Sequence, residues 1–280
     1  MQSKTGFANV CGRHVYYTEV GSPDAPVVMC WHGIARTGRV FRPLASALSG
    51  RYRVICPDVI GRGLSEWSPR PEAEYHIDFY AQIATELLDA LSLTTVRWIG
   101  ISLGGAIGVR AAGGLLKERI THLVIDDMGP ALEPWALDVI REVIESGARH
   151  RFKTMAEFQA YQYEFYKSGG PLSEDAWREL ACGSVRRCDD GTYAEHYDPR
   201  IGDQFVHHPQ DWDQWPEYDA IRARTLCIRG EHSPLLSREV AEEMTRRGPR
   251  CRLVEIPGVG HAPQLIRDEE ISLVEDFLTH

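Results

Sequence analysis

Residues 100–104 of the chain read Gly-Ile-Ser-Leu-Gly, between a short apolar segment at 96–99 and a segment rich in small residues at 103–116. The apolar segment predicts a buried strand, and the second segment predicts a helix packed closely on a sheet. A serine at such a strand-to-helix turn has a strained backbone that exposes its Oγ, and side chains two residues before and after it would clash. The helix directs its first N–H groups at the serine, where they favour developing negative charge. The stretch predicts that Ser102 is a nucleophile.

The chain on both sides of this turn alternates between strand-like and helix-like patterns. Strands are predicted at 13–20, 27–31, 52–56, 96–99, 120–125, 225–228 and 252–256. Helices are predicted at 41–48, 77–91, 103–116, 237–244 and 271–278. Strands that alternate with helices indicate an α/β fold, with a parallel sheet and helices on both of its faces.

Residues 131–216 break this alternation. They contain helix-like segments rich in aromatic side chains and no run typical of a buried strand. We interpret them as a mostly helical cap inserted between the sixth and seventh strands of the main sheet. The predicted core domain then comprises residues 1–130 and 217–280.

Composition and charge restrict the class of partner and the compartment. The chain has 280 residues, is 43% hydrophobic and carries a formal net charge of −9, which argues against nucleic acid or an anionic membrane as the main partner. It has no apolar run long enough to span a membrane and no apolar stretch typical of a signal peptide at residues 1–10. The seven cysteines show no zinc-ligand spacing. We expect a cytoplasmic protein with free thiols and neither a metal nor an organic cofactor.

Two further segments follow predicted strands and supply the groups that a serine nucleophile needs. Trp31-His32-Gly33 follows the strand at 27–31, so the amide of Ile34, together with that of Leu103, would form an oxyanion hole. His32 itself is expected to have a structural role. His261 lies in a loop after the last predicted strand, from which a histidine can reach over the sheet to the serine and remain solvated enough to act as a general base.

These motifs resemble, in order and spacing, those of the α/β-hydrolase superfamily. The matching residues are Trp31-His32-Gly33, Pro57-Asp58-x-x-Gly61-x-Gly63-x-Ser65, Gly100-x-Ser102-x-Gly104-Gly105 and Gly260-His261-Ala262. The chain is similar to the capped branch that contains carboxylesterases, C–C bond hydrolases, cofactor-free haloperoxidases and methylesterases. The resemblance implies an eight-stranded, mostly parallel sheet and a triad in the order serine, acid, histidine.

The acid of the triad departs from the pattern of these relatives, which commonly place an aspartate in the loop after the seventh strand. The corresponding loop here, residues 229–236, has no aspartate. Some members of the superfamily carry the acid after the sixth strand, and this favours Asp127 as the partner of His261. Glu231, one residue beyond a glycine, is the alternative, and Asp126 or a dyad completed by water also remains open.

The residues and the resemblance together predict a serine hydrolase that cleaves small to medium carboxylic esters through an acyl-enzyme on Ser102. The alternatives are a C–C bond hydrolase of a diketone-like substrate, which a polar cap pocket would favour, and a hydrolase-fold receptor or pseudoenzyme. Because the cap would lie over the site, Trp135 and Tyr163 are candidate substrate-binding residues.

Overall fold

The computed structural model describes residues 3–279, in which ten strands and eleven α-helices alternate along most of the chain. The strands are β1 (Lys4–Val10), β2 (Arg13–Val20), β3 (Val27–Trp31), β4 (Arg53–Pro57), β5 (Val96–Ile101), β6 (Ile120–Asp126), β7 (Val185–Arg187), β8 (Tyr193–Glu195), β9 (Arg224–Gly230) and β10 (Arg252–Ile256). The helices are α1 (Arg42–Leu48), α2 (Pro71–Glu74), α3 (Ile77–Ala90), α4 (Leu103–Gly113), α5 (Pro134–Arg149), α6 (Met155–Tyr166), α7 (Glu174–Ser184), α8 (Gln204–His207), α9 (Trp215–Ala220), α10 (Arg238–Met244) and α11 (Asp268–Thr279). Within this range, no helix is long and apolar enough to cross a membrane.

Eight of the strands form one sheet in the order β1-β2-β4-β3-β5-β6-β9-β10. Strand β2 runs antiparallel to its neighbours β1 and β4, and the remaining pairs are parallel. The predicted α/β fold with an eight-stranded, mostly parallel sheet is confirmed.

Helices cover both faces of the sheet, because the side chains of its central strands alternate between two apolar layers. In β3, Met29 and Trp31 pack in the layer that contains α3 and α4, whereas Val28 and Cys30 pack in the layer that contains α1 and α11. Such a strand has no solvent-facing side, which explains why its sequence is an unbroken apolar run.

Strand β1 is absent from the sequence prediction and is one of the six strands that precede the insertion. Its residues Ala8 and Val10 are buried, but the apolar residue Phe7 is exposed. The alternation of apolar and polar residues that predicts a strand is therefore weak in this edge strand. Strand β5 also runs to Ile101 and β6 to Asp126, beyond their predicted ends. These additional residues bring both strands to the edge of the sheet at which Ser102 lies.

The segment between β6 and β9 contains α5–α9 and a short hairpin, β7–β8, that the sequence analysis did not predict. Each of these strands has three residues, too few for a periodic pattern. Phe152 and Tyr193 exchange backbone hydrogen bonds of 2.9 and 2.8 Å, which extends the pairing toward α6.

Backbone and buried side-chain hydrogen bonds hold this segment on the core. The Gly63 amide donates to the carbonyl of His196 (2.9 Å), and the Asp198 amide donates to that of Gly61 (2.8 Å). The hydroxyl of Tyr75 donates to the Asp198 carboxylate at 2.7 Å. The insertion is therefore fixed against the loop that follows β4.

The turn at Ser102 depends on glycine at two positions. Ser102 has φ 51°, a left-handed conformation that is strained for a residue with a side chain. A Cβ atom on Gly100 would lie 2.1 Å from the carbonyl oxygen of Gly104, and one on Gly104 would lie 1.9 Å from that of Trp31. Both glycines are required because backbone occupies the space that a side chain would need.

Replacing Gly104 by alanine is therefore expected to lower the free energy of unfolding by about 3 kcal/mol or more, since the first turn of α4 must move away from β3. Gly50→Ala is the control, because a Cβ atom there would contact nothing within 4 Å. Urea unfolding of both variants and the wild type measures the difference. Equal stability of the two variants would contradict the proposed close approach.

Candidate active site

Ser102 lies between β5 and α4, at the carboxyl edge of the parallel strands. Its amide donates to the carbonyl of Asp126 at 2.8 Å, and its own carbonyl accepts from the amides of Gly105 and Ala106. The turn is thereby tied to β6 on one side and to the first turn of the helix on the other, and it directs the Oγ into a cavity above the sheet.

The structure brings Ser102, His261 and Asp127 together. The Nε2 atom of His261 lies 3.0 Å from the Ser102 Oγ, and its Nδ1 atom lies 2.8 Å from Oδ2 of Asp127. Because the carboxylate accepts a hydrogen bond from the Nδ1–H group, Nδ1 keeps the ring proton and Nε2 is left as an acceptor for the serine hydroxyl. This arrangement can remove a proton from Ser102 as its oxygen attacks an electrophile.

Asp127 is completely buried and held on both carboxylate oxygens. Oδ2 faces His261, and Oδ1 accepts a hydrogen bond from the amide of Gly230 at 2.9 Å. Its backbone has φ 53°, and its amide donates to the carbonyl of Ile228 at 2.8 Å. The end of β9 therefore fixes the carboxylate that orients the histidine.

Asp126, the neighbouring carboxyl, has a different environment. It is buried, and neither of its oxygens has a hydrogen-bond partner in the described part of the chain. Burial, followed by the nearby charges of Asp127 and Glu270, raises the pKa of Asp126 well above its usual range. Burial thus favours the neutral form of Asp126, and its carboxyl makes no hydrogen bond to His261, so it does not take the place of Asp127 in the site.

Glu231, the alternative acid, lies elsewhere. Its Oε2 accepts a hydrogen bond from the amide of Gly258 at 2.8 Å, and its side chain is 41% exposed. Its Oε2 atom lies 3.9 Å from Nε2 of His232, and it makes no hydrogen bond to His261. The end of β9 thus contributes the amide of Gly230 to the site, and the loop after it contributes no carboxylate.

The two amides predicted to form an oxyanion hole are available. A Cβ atom on Gly33 would lie 3.7 Å from the Cβ of Ser102, so the loop after β3 passes directly beside the nucleophile. The amide of Ile34, in this loop, and that of Leu103, at the start of α4, make no hydrogen bond to any acceptor within residues 3–279. Both can donate to a ligand oxygen.

His32 has a structural position. Its Nε2 accepts from the amide of Val59 at 2.9 Å, and its Nδ1 donates to the carbonyl of Gly33 at 2.7 Å. Burial lowers the pKa of His32 to about 3, so the ring is neutral. It joins the ends of β3 and β4 and does not reach Ser102.

A cavity of about 270 Å³ lies above the nucleophile. Its walls are mostly apolar and are formed by Gly33, Ile34, Ala35, Val40, Ile101, Val139, Ile140, Val143, Ile144, Phe165, Pro234, Leu235 and Ala262. The polar residues on its wall are Arg36, Ser102, Tyr166, His261 and Gln264. The inserted segment contributes residues of α5 and α6 to this wall.

The structure places Trp135 and Tyr163, the candidate substrate-binding residues, away from this cavity. Neither contributes to the cavity wall; Trp135 is 50% exposed, and Tyr163 packs edge-to-face on Trp177 with their ring centroids 5.3 Å apart. Aliphatic side chains of α5 take this place instead. Their spacing, Val139 with Val143 and Ile140 with Ile144, is a helical stripe that the sequence displays and that could have identified them.

A group of two histidines and an aspartate lies away from this cavity. His76, His208 and Asp211 present ring nitrogens and a carboxylate oxygen within 4.8 Å of one another. The Nε2 atom of His208 lies 2.8 Å from the carbonyl of Glu72, and the Asp211 carboxylate accepts from the amide of Ile77. These residues form no part of the cavity wall around Ser102.

The fold and this site define an α/β hydrolase, and comparison with known proteins agrees. The family model described as the alpha/beta hydrolase fold matches residues 26–268, so the chain belongs to that family. The chain is an enzyme of the hydrolase type.

Among its relatives, the chain is 38% identical over 273 residues to a 3-hydroxybutyrate-oligomer hydrolase of Cupriavidus necator, a match covering 94% of this chain and 92% of that protein. It is 28% identical over 238 residues to a 2-(acetamidomethylene)succinate hydrolase of Mesorhizobium japonicum, which covers 85% and 82% of the two chains. A solved structure of an alpha/beta hydrolase from Novosphingobium aromaticivorans superimposes with a TM-score of 0.88 at 30% identity, over 99% of this chain and 98% of that one.

The two adjacent carboxyls allow a matched test of the site. We expect Asp127→Asn to slow covalent labelling of Ser102 by a fluorophosphonate about 10²-fold or more, because an amide no longer holds the His261 tautomer. Asp126→Asn should label at the rate of the wild type, since the Asp126 carboxyl makes no hydrogen bond to His261 and an amide has nearly the same shape. Gel fluorescence against time measures both rates, and circular dichroism confirms folding. Slower labelling of Asp126→Asn than of Asp127→Asn would show that the acid has been assigned to the wrong residue.

Proposed function

We propose that this protein is a carboxylic ester hydrolase that acts through an acyl-enzyme on Ser102. The observation that carries the proposal is the continuous hydrogen-bond path from Ser102 Oγ through His261 to the buried carboxylate of Asp127, with distances of 3.0 and 2.8 Å. A serine hydroxyl is a weak nucleophile until an oriented base accepts its proton, and this path supplies both the base and its orientation.

In the proposed mechanism, the Ser102 oxygen attacks the ester carbonyl while Nε2 of His261 takes the hydroxyl proton. The amides of Ile34 and Leu103 donate to the oxyanion of the tetrahedral intermediate. As this intermediate collapses, His261 gives its proton to the departing alcohol. Water, deprotonated by His261, then attacks the acyl-enzyme and releases the acid. The sequence of steps requires no metal or organic cofactor.

The size and chemistry of the cavity support a small, mostly aliphatic substrate. A volume of about 270 Å³ with largely apolar walls suits short acyl groups better than long ones. The relative of Cupriavidus necator is named for 3-hydroxybutyrate oligomers, which are short aliphatic oligoesters. We propose the same class of substrate here: a small-molecule ester of a short-chain hydroxy acid.

We also propose that residues 131–216 act as a cap over this site, with the core formed by 1–130 and 217–280. The contribution of α5 and α6 to the cavity wall supports this division, because it gives the insertion direct control of access to Ser102. A cytoplasmic location remains part of the proposal, supported by seven cysteines that carry free thiols.

C–C bond cleavage of a diketone-like substrate is the second candidate, because the same serine, histidine and aspartate could serve that reaction. The mostly apolar cavity favours ester hydrolysis over that reaction. A receptor or pseudoenzyme would not require the oriented serine, histidine and aspartate that this site retains.

Steady-state hydrolysis of p-nitrophenyl acetate, butyrate and palmitate tests the proposal. We expect turnover of the two short esters, little turnover of the palmitate, and a loss of kcat of about 10⁵-fold or more in Ser102→Ala. Asp126→Asn, which leaves the triad intact, is the control and should keep the activity of the wild type. A wild type that labels at Ser102 but hydrolyses none of the esters would exclude the ester hydrolase and favour C–C bond cleavage.

A further inference from the structure

Arg36 is a buried cation in the wall of the same cavity as Ser102 and His261. It follows β3 by five residues, and only 5% of its surface is exposed. Its neighbour Arg39, three residues further along, is exposed and lies outside this cavity. A charged side chain in such a position requires either a compensating anion or a set of strong acceptors.

Neutral groups satisfy only part of the Arg36 guanidinium. Its Nη1 donates to Oε1 of Gln162 at 2.9 Å and to Oγ of Ser184 at 3.2 Å. The guanidinium lies over the ring of Tyr166, 3.3 Å from the ring centroid. The Nη2 atom is buried and has no acceptor anywhere in the range 3–279. The guanidinium is thus held in place through Nη1, whereas Nη2 makes no hydrogen bond within these residues.

The acidic group nearest in this network does not neutralise Arg36. Glu195 is reached only through Gln162, whose Nε2 donates to Oε1 of Glu195 at 2.6 Å. Burial raises the pKa of Glu195 to about 8, so its carboxyl is predominantly protonated near pH 7. Arg36 is therefore a buried cation without an ionised partner in this network.

We infer that Arg36 binds a free carboxylate of the substrate, so that the enzyme selects esters whose alcohol or acyl portion ends in an acid group. The inference rests on the proposed ester hydrolase and extends it to the anionic class of substrate. A carboxylate would accept from the unused Nη2 and provide the missing countercharge in a water-poor cavity, where such a bond is strong. An oligoester of a hydroxy acid has one such group at its acid end.

Arg36 is a specificity-determining residue in this scheme and does not act on the scissile bond. Arg36 and Ser102 line one small cavity, so the carboxylate and the ester of the substrate must be close together. The scheme therefore favours dimers and trimers over long chains.

The first test compares two substrates that share one scissile ester: the linear dimer of 3-hydroxybutyrate and the same dimer with its terminal carboxylate converted to a carboxamide. We expect the wild type to prefer the acid by about 10- to 100-fold in kcat/KM, the size of a hydrogen-bonded charge interaction. In Arg36→Gln this preference should fall to about onefold, mainly through a higher KM for the acid. The ratio is insensitive to a general loss of active protein.

Two further variants separate charge recognition from structure. Arg39→Gln removes the same charge from an exposed position outside the cavity and should keep the preference of the wild type. Arg36→Lys keeps a cation without the planar fork and should restore part of the preference. A preference that is equal in the wild type and in Arg36→Gln would overturn the inference and assign Arg36 a structural role.

A binding measurement distinguishes this inference from the proposed function. Protection of Ser102 from fluorophosphonate labelling by 3-hydroxybutyrate, compared with its amide, reports carboxylate binding without any turnover. Protection by the acid alone that disappears in Arg36→Gln supports the inference even if neither dimer is hydrolysed, in which case the ester hydrolase is what fails. Equal protection by acid and amide, or none by either, in an enzyme that hydrolyses both dimers would overturn the inference and leave the proposed function intact.

Discussion

A Cβ atom on Gly104 would lie 1.9 Å from the carbonyl oxygen of Trp31, so only glycine allows the first turn of α4 to approach the end of β3 this closely. This contact places the loop after β3 beside Ser102 and aligns the amides of Ile34 and Leu103 with the same side of the sheet. It also keeps Ser102 in a left-handed conformation that a more open turn would relax. The apolar layers on both sides of the sheet stabilise this strained turn, and the candidate site depends on it.

At the carboxyl edge of the sheet, the direction of a side chain decides which hydrogen bonds it makes. Asp126 and Asp127 are adjacent, yet the Asp126 carboxyl has no hydrogen-bond partner among the described residues, whereas that of Asp127 accepts hydrogen bonds from His261 and from the amide of Gly230. The left-handed backbone of Asp127 ends the alternation of β6 and turns its carboxylate toward the end of β9. Two identical residue types thereby have different environments, and only Asp127 has the hydrogen bonds that offset the cost of burying a charge.

The inserted segment completes the wall of the candidate site. Helices α5 and α6 contribute apolar side chains to it, and Gln162 of α6 and Ser184 of α7 accept hydrogen bonds from the guanidinium of Arg36. In the proposed scheme, the chemical step is located in the core, and recognition takes place where core and insertion meet. A relative with a different insertion could keep the chemistry and change the recognition.

The sheet and the serine at the strand-to-helix turn could be predicted from the sequence, since both are encoded locally. Apolar runs such as 27–31 have no polar side because strands buried on both faces have none, and the glycines around Ser102 report a backbone contact at fixed spacing. The edge strand β1 and the hairpin β7–β8 remained undetected, because an exposed or three-residue strand has little periodicity. The tertiary structure was needed to place Asp127, and not Glu231, against His261, and to place the aliphatic stripe of α5, and not Trp135 or Tyr163, in the cavity wall. It was also needed to find that Nη2 of Arg36 has no acceptor among residues 3–279. These features depend on the direction of a side chain and on contacts with residues more than a hundred positions away in the chain, and no local pattern contains that information.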